Sequence, residues 1–262
     1  MAANRETRNR NWRGIASFSQ SVLCLKEAPE TKFVFGQVVL QALEMLTAQL
    51  GDVPFVQVGA NDGVHADHIH PLVMTGKWHG ILIEPAPKAY ERLLQTYRNV
   101  LGLAFVQLAV STSETRLPFY YVEGDDGLSS LSVETILTHA PKYDDLKGMI
   151  REFEVEARTL DSICDTHNLS RPAVVAIDTE GTDDIVLNSF SVEERRPSLV
   201  LFEHCHLSAE RSAAVRDRLL AAGYRLLHDR HDALAIAEGT FDEQTTTQFA
   251  DAISAVRTAS ST

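Results

Sequence analysis

Positive charge is scarce in this chain: Lys and Arg total 24 against 36 Asp and Glu, for a formal net charge of -12. Such a balance argues against broad contact with a nucleic-acid backbone. Cysteine is scarcer still. Cys24, Cys164 and Cys205 lie too far apart for a compact metal knuckle and cannot all pair within one chain, which fits a reducing, cytoplasmic setting. No apolar run reaches the roughly 18 residues of a membrane span, and the opening MAANRETRNRNWRG lacks the apolar core and cleavage site of a secretory leader. Arg8, Arg10 and Arg13 sit among polar residues there, as in a frayed tail. There is no internal repeat.

With 44% hydrophobic and 23% charged residues over 262 positions, the composition is that of a globular protein with one large domain. Residues 1–52 are expected to form a leader and a helical extension, the helix falling on FVFGQVVLQALEMLTAQL at 33–50, where apolar residues recur at three- and four-residue intervals. From residue 53 to 240, strands and helices alternate: FVQVG, WHGILIE, LAFVQLAV, AVVAIDTEG, SLVLFEH and YRLLHD read as strands separated by helical stretches, with DALAIAE a last strand. This rhythm predicts an α/β fold with a mostly parallel seven-stranded sheet and helices on both faces. An acidic, Gly- and Ser-bearing stretch around 123–155 interrupts it and is expected to act as a lid. Residues 241–262 are expected to pack on or trail from the same body.

Ligands of open parallel sheets bind beyond the carboxyl ends of the strands. Gly59, Ala60, Asn61, Asp62 and Gly63 follow the first strong strand, and Glu84 closes GILIE. A dinucleotide site would carry G-x-G-x-x-G, yet Asn61 stands at the second glycine and Asp62 beside it, a carboxylate that would repel pyrophosphate. A phosphate-binding P-loop is absent too. Glu84 is placed to accept hydrogen bonds from ribose hydroxyls, a role common to nicotinamide and adenosyl cofactors.

The ordered series VQVGANDG, ILIEPAPKAYERL, VQLAVS, GLSSL, VEARTLDSI, AIDTEGTDDIVL and LVLFEH resembles the FkbM-type S-adenosylmethionine-dependent methyltransferases, over roughly residues 53–237. The resemblance implies the Rossmann-like class I methyltransferase fold, a first motif on Gly59 to Gly63, the ribose acid on Glu84, and Gln107 and Ala109 on the adenine side. It also implies contacts of Ser129 and Ser130 with acceptor or cofactor. The family's Lys-Ile-Asp-Val-Glu-Gly segment falls on AIDTEG, with Asp178 and Glu180 at its acids and Ala176 at its lysine; Gln57 stands where many methyltransferases use an acid.

The implied reaction is O-methylation of a small hydroxylated molecule, sugar-containing or a natural product. A hydroxyl nucleophile calls for a general base or a metal. Asp178, Glu180 and His204 are the candidate catalytic groups. Asp178, Glu203 and His204 are the candidate ligands should a hard cation such as Mg²⁺ be used; strand alternation sets Glu203 and Cys205 opposite His204 and His206. His65 is a candidate gate residue. A homo-oligomer is compatible with the extension. A nicotinamide-dependent oxidoreductase and a noncatalytic adenosyl-ligand-binding protein are the alternatives.

Overall fold

The computed structural model describes residues 29–65 and 67–259; the expected leader, Cys24 and residues 260–262 lie outside the described residues. Helix α1 (Pro29–Leu50) begins earlier than residue 33, because proline is tolerated in the first turn. Its Phe35, Val38, Val39, Ala42, Leu43 and Leu46 form one buried stripe. By length and apolarity alone, Thr31–Leu50 suffices to cross a membrane, but that stripe joins the core of the fold.

The expected rhythm follows in β1 (Val53–Val58), α2 (His70–Val73), β2 (Trp78–Ile83), α3 (Pro87–Thr96) and β3 (Leu103–Val106). LAFVQLAV is not one strand. β3 stops at Val106, and after Gln107 and Leu108 the chain enters β4 (Ala109–Val110), which belongs to a second sheet. The interrupting stretch is largely regular as well: β5 (Thr115–Val122), β6 (Asp125–Ser130), α4 (Val133–Thr138), a 3₁₀ turn (Ala140–Lys142), α5 (Leu146–Met149) and β7 (Ile150–Arg158). In EFEVEAR, Val155 and Ala157 are buried while Glu154 and Glu156 are exposed, so the period-two pattern of a one-sided strand lay under the acidic composition. The second sheet runs β4-β7-β5-β6.

The main sheet is completed through α6 (Leu160–Thr166), β8 (Val174–Ile177), α7 (Asp183–Asn188), α8 (Val192–Arg195), β9 (Leu199–Glu203), α9 (Ala209–Ala221), β10 (Tyr224–His228), β11 (Asp232–Ala237) and α10 (Glu243–Ala259). Its order is β10-β11-β9-β8-β1-β2-β3, parallel throughout except for β11, which is antiparallel to both neighbours. This is the Rossmann-like class I methyltransferase topology that the strand pattern and the resemblance implied. Phe55 and Leu82 face a core shared with α1 and α10, whereas Val56, Val58, Ile81 and Ile83 face one shared with α6 and α9. Burial on both faces explains the continuous apolar runs.

Truncating Leu43 to Ala should cost about 2–5 kcal/mol, the usual range for a fully buried leucine. Leu101→Ala, at a residue 88% exposed, should stay within about 0.5 kcal/mol of the parent. Urea unfolding reads both, and equal effects would mean that α1 is no part of the core.

Candidate functional site

The turns after β1, β2 and β8 meet in one cleft. The amides of Gly59 and Ala60 both donate to the Ile83 carbonyl at 3.0 Å, and Asp178 N donates to the Val58 carbonyl at 2.9 Å. A Cβ on Gly59 (φ +78) would stand 1.7 Å from the Asp178 carbonyl oxygen, so only glycine lets the turns touch. Asn61 adopts a left-handed φ of 46, which Asn tolerates better than most residues. Its N–H donates to Glu84 Oε2 at 2.8 Å, and Ala86 N donates to Oε1, also at 2.8 Å.

Glu84 is thus a buried carboxylate with its orientation fixed. Burial pushes its pKa up to about 7, against the two amide bonds that favour the charged form. Of the expected first motif, Gly59, Ala60 and Asn61 line the cleft. Asp62 instead braces the loop, accepting from Val64 N and His65 N at 3.0 Å and lying 2.5 Å from His65 Nδ1. Gly63 makes room for α3: a Cβ there would be 2.5 Å from the Tyr97 ring.

Ala109, Ser129 and His65 line the cleft. Gln107 does not. It is exposed, because the strand breaks before it, and Leu108 takes the lining position. Ser130 is buried behind the wall, where its hydroxyl donates to the Glu180 carbonyl at 2.7 Å and accepts from Ser132 N at 3.0 Å. Asp67 and Phe119 are among the lining residues beyond those expected. Asp67 caps the α2 entry by accepting from Ile69 N and His70 N, a signal readable in DHIHP. Phe119 comes from β5, where a strand in a second sheet gave no hint of the site.

Asp178 and Glu180 both line the cleft. Asp178 is reachable by solvent through the cleft but enclosed by protein elsewhere. Burial, then the neighbouring charges of Glu180 and Asp183, hold its carboxyl well above the ordinary range. Asp183 is fully buried, accepts from Thr179 Oγ1 at 2.9 Å and from Glu203 N at 3.1 Å, and is pushed up to about 6 mainly by burial. Glu203 is raised by burial and by Asp178 and Glu180.

His204 is not among the lining residues. Its ring packs edge-on against His228, with centroids 5.6 Å apart, and burial followed by the His228 charge holds it down to about 4. The alternation argument fails here because β9 ends at Glu203. The trio Asp178, Glu203 and His204 is accordingly not gathered. Among the described residues, ligand-capable atoms come within 4.8 Å of one another in His139–Glu180–His206 and in Glu203–Cys205–His231.

Residues 57–226 match the family model described as the methyltransferase FkbM domain. No curated protein matches. Among solved structures, the methyltransferase FkbM from Methylobacillus flagellatus KT is 16% identical with a TM-score of 0.49, covering 71% of this chain and 43% of that one. The chain therefore spans less than half the length of that protein. The ribosomal protein L11 methylase from Lactobacillus delbrueckii subsp. bulgaricus is 10% identical with a TM-score of 0.43, over 84% of this chain and 88% of that one. Precorrin-6y C5,15-methyltransferase from Geobacter metallireducens GS-15 is 10% identical with a TM-score of 0.39, over 84% of this chain and 94% of that one. The family match runs through the β1 turn, Glu84 and Asp178, and it decides between a methyl donor and a nicotinamide: the chain belongs to the FkbM methyltransferase family, enzymes that depend on S-adenosylmethionine.

Proposed function

We propose that this methyltransferase acts on a hydroxyl of a small sugar-containing or natural-product substrate. The observation that carries the cofactor side is the acceptor-rich wall of the cleft. Glu84, Asp67 and Asp178 present carboxyl groups to it, and Gln57 Oε1 is shut from solvent without a hydrogen bond. S-adenosylmethionine has the complementary chemistry: an ammonium group, ribose hydroxyls and a positive sulfonium. A pyrophosphate has none of these and would be repelled.

In this reading Glu84 accepts from the ribose hydroxyls and Gln57 Oε1 takes a donor from the same ligand. Leu108, Ala109 and Val110 supply the apolar side for adenine. Ser129 and Glu180, facing the cleft from opposite sheets, orient the acceptor, and the β5–β6 hairpin with α4 serves as the lid. The bound cofactor supplies an electrophilic methyl carbon on positively charged sulfur. Asp178 would take the hydroxyl proton as the substrate oxygen bonds to that carbon and the carbon–sulfur electron pair returns to sulfur. Asp178 must be ionised to do this, and an adjacent cation favours that form.

Titration calorimetry with S-adenosylmethionine tests the donor site. Affinity should tighten between about pH 6 and pH 8, because Glu84, with a pKa near 7, accepts two ligand hydroxyls only when ionised. Glu84→Gln should bind roughly 10- to 100-fold more weakly at pH 8, the loss of about 1.5–3 kcal/mol expected for a charged hydrogen bond, and should lose the pH step. Unchanged binding in the variant would remove Glu84 from the donor site. For the chemistry, Asp178→Asn should lower kcat about 10²–10⁴-fold on a hydroxylated acceptor found with labelled methyl donor, well beyond any loss of donor affinity. Full turnover by that variant would place the base elsewhere.

A further inference from the structure

We infer that His139, Glu180 and His206 bind one divalent transition-metal ion at the edge of the cleft, with Glu203 beside them. The ligand atoms of the first three lie within 4.8 Å of one another. His206 Nε2 is 3.3 Å from Glu180 Oε2 and 3.7 Å from Glu203 Oε2. Ligands about 2.0–2.1 Å from a tetrahedral zinc ion stand roughly 3.3 Å apart, so His206 and Glu180 already hold the spacing an ion imposes, and His139 lies within 4.8 Å of both. The His139 and His206 rings sit side by side with centroids 5.4 Å apart.

The second observation is independent of spacing. Nε2 of His139, Oε2 of Glu180 and Oε2 of Glu203 are each closed to solvent and make no hydrogen bond. Buried polar atoms are nearly always bonded, and three such atoms in one neighbourhood ask for a common partner. On the Glu203 side the surrounding charge is negative: Asp178, Asp183 and Asp232 all act electrostatically on Glu203. A divalent cation satisfies the lone pairs and offsets that charge together.

The neighbouring chain fixes the ligands. Glu180 holds a left-handed φ of 52, unusual for a residue with a side chain. Its carbonyl accepts from Ser130 Oγ at 2.7 Å, and the Gly181 carbonyl accepts from Arg211 Nη2 at 3.0 Å. His139 arrives from the other side, between α4 and the 3₁₀ turn, so the ion would join the segment between β6 and β7 to the strand ends of the main sheet. Lys142 Nζ lies 3.2 Å from His139 Nδ1; metal on Nε2 leaves the proton on Nδ1, and the exposed lysine chain swings aside.

Two imidazoles with carboxylates suit zinc, iron(II) or manganese, whereas magnesium prefers an oxygen shell. Glu180 also lines the cleft, so the ion would stand where it can hold a substrate oxygen. That role, unlike the site itself, rests on the hydroxyl-methylation reading. Glu203–Cys205–His231 is the rival set, but Cys205 Sγ there donates to Glu203 Oε1 at 3.4 Å, as a thiol rather than a ligand.

The test is calorimetric titration of the chelator-treated full chain with zinc chloride, with manganese and magnesium chloride alongside. Visible absorption of the cobalt(II)-loaded parent protein gives a readout that needs no variant. One zinc ion per chain and a cobalt ligand-field band are expected. His139→Ala and His206→Ala should each abolish saturable uptake, and Cys205→Ser should retain it. S-adenosylmethionine binding by the same samples is read separately, so failure of the metal site is distinguishable from failure of the donor site. No stoichiometric uptake by the parent, uptake that survives both histidine substitutions, or uptake lost with Cys205 would each overturn the inference.

Discussion

The site depends on the register of four parallel strands. Val58 pairs with Ile83 on one side and Ile177 on the other, and Ile177 pairs with Phe202. The next residue of each strand is therefore on one level: Glu84, Gly59, Asp178 and Glu203 in order across the sheet. Asp232 of β11 pairs with Glu203 and extends the row. Four of these five positions are acids, and the one between Glu84 and Asp178 is the glycine whose missing Cβ admits the Asp178 carbonyl. A side chain at Gly59 would push β1 and β8 apart at their ends and separate the two carboxyl groups that share the cleft.

This row explains what could be read in the sequence and what could not. Each of GILIE, AVVAID and LVLFE ends an apolar run on an acid, and a buried parallel strand followed by an acid is a local pattern. Glu84, Asp178 and Glu203 were accessible for that reason. His204 shows where local pattern fails: alternation is a property of strands, and the strand ends one residue before it. Gln107 failed similarly, because the break after Val106 transfers the chain from one sheet to another, and no property of LAFVQLAV marks the crossing. Asp62 carries the chemistry expected of a ligand residue, yet three local partners at Val64 and His65 occupy it. His139 was invisible. Nothing in THAPK suggests a site, since its partners Glu180 and His206 lie far along the chain and meet it only through the packing of α4 against the Glu180–Gly181 turn.

Buried like charges cannot all remain ionised without compensation, and the row meets this constraint differently along its length. Glu84 is compensated by two amides and Asp183 by a hydroxyl and an amide. Asp184, beside them, pairs with Arg211. Asp178 and Glu203 are instead surrounded mainly by other acids, Glu203 accepting only a thiol hydrogen bond from Cys205 among the described residues, and both are shifted toward holding a proton, first by burial. These two are the points at which a cation gains most from binding, one facing the cleft and the other facing His206.

The same electrostatics bears on methyl transfer in the proposed reading. Before reaction the cleft would hold a sulfonium and an ionised Asp178; afterwards, a neutral thioether and a protonated Asp178. Opposite charges disappear together, with no charge separated. In surroundings of low dielectric, where uncompensated charge is costly, neutralising both groups in one step favours the product side. In that reading the high proton affinity of Asp178, set first by burial and then by the charges of Glu180 and Asp183, would make this carboxyl a strong proton acceptor once the positive donor has let it ionise.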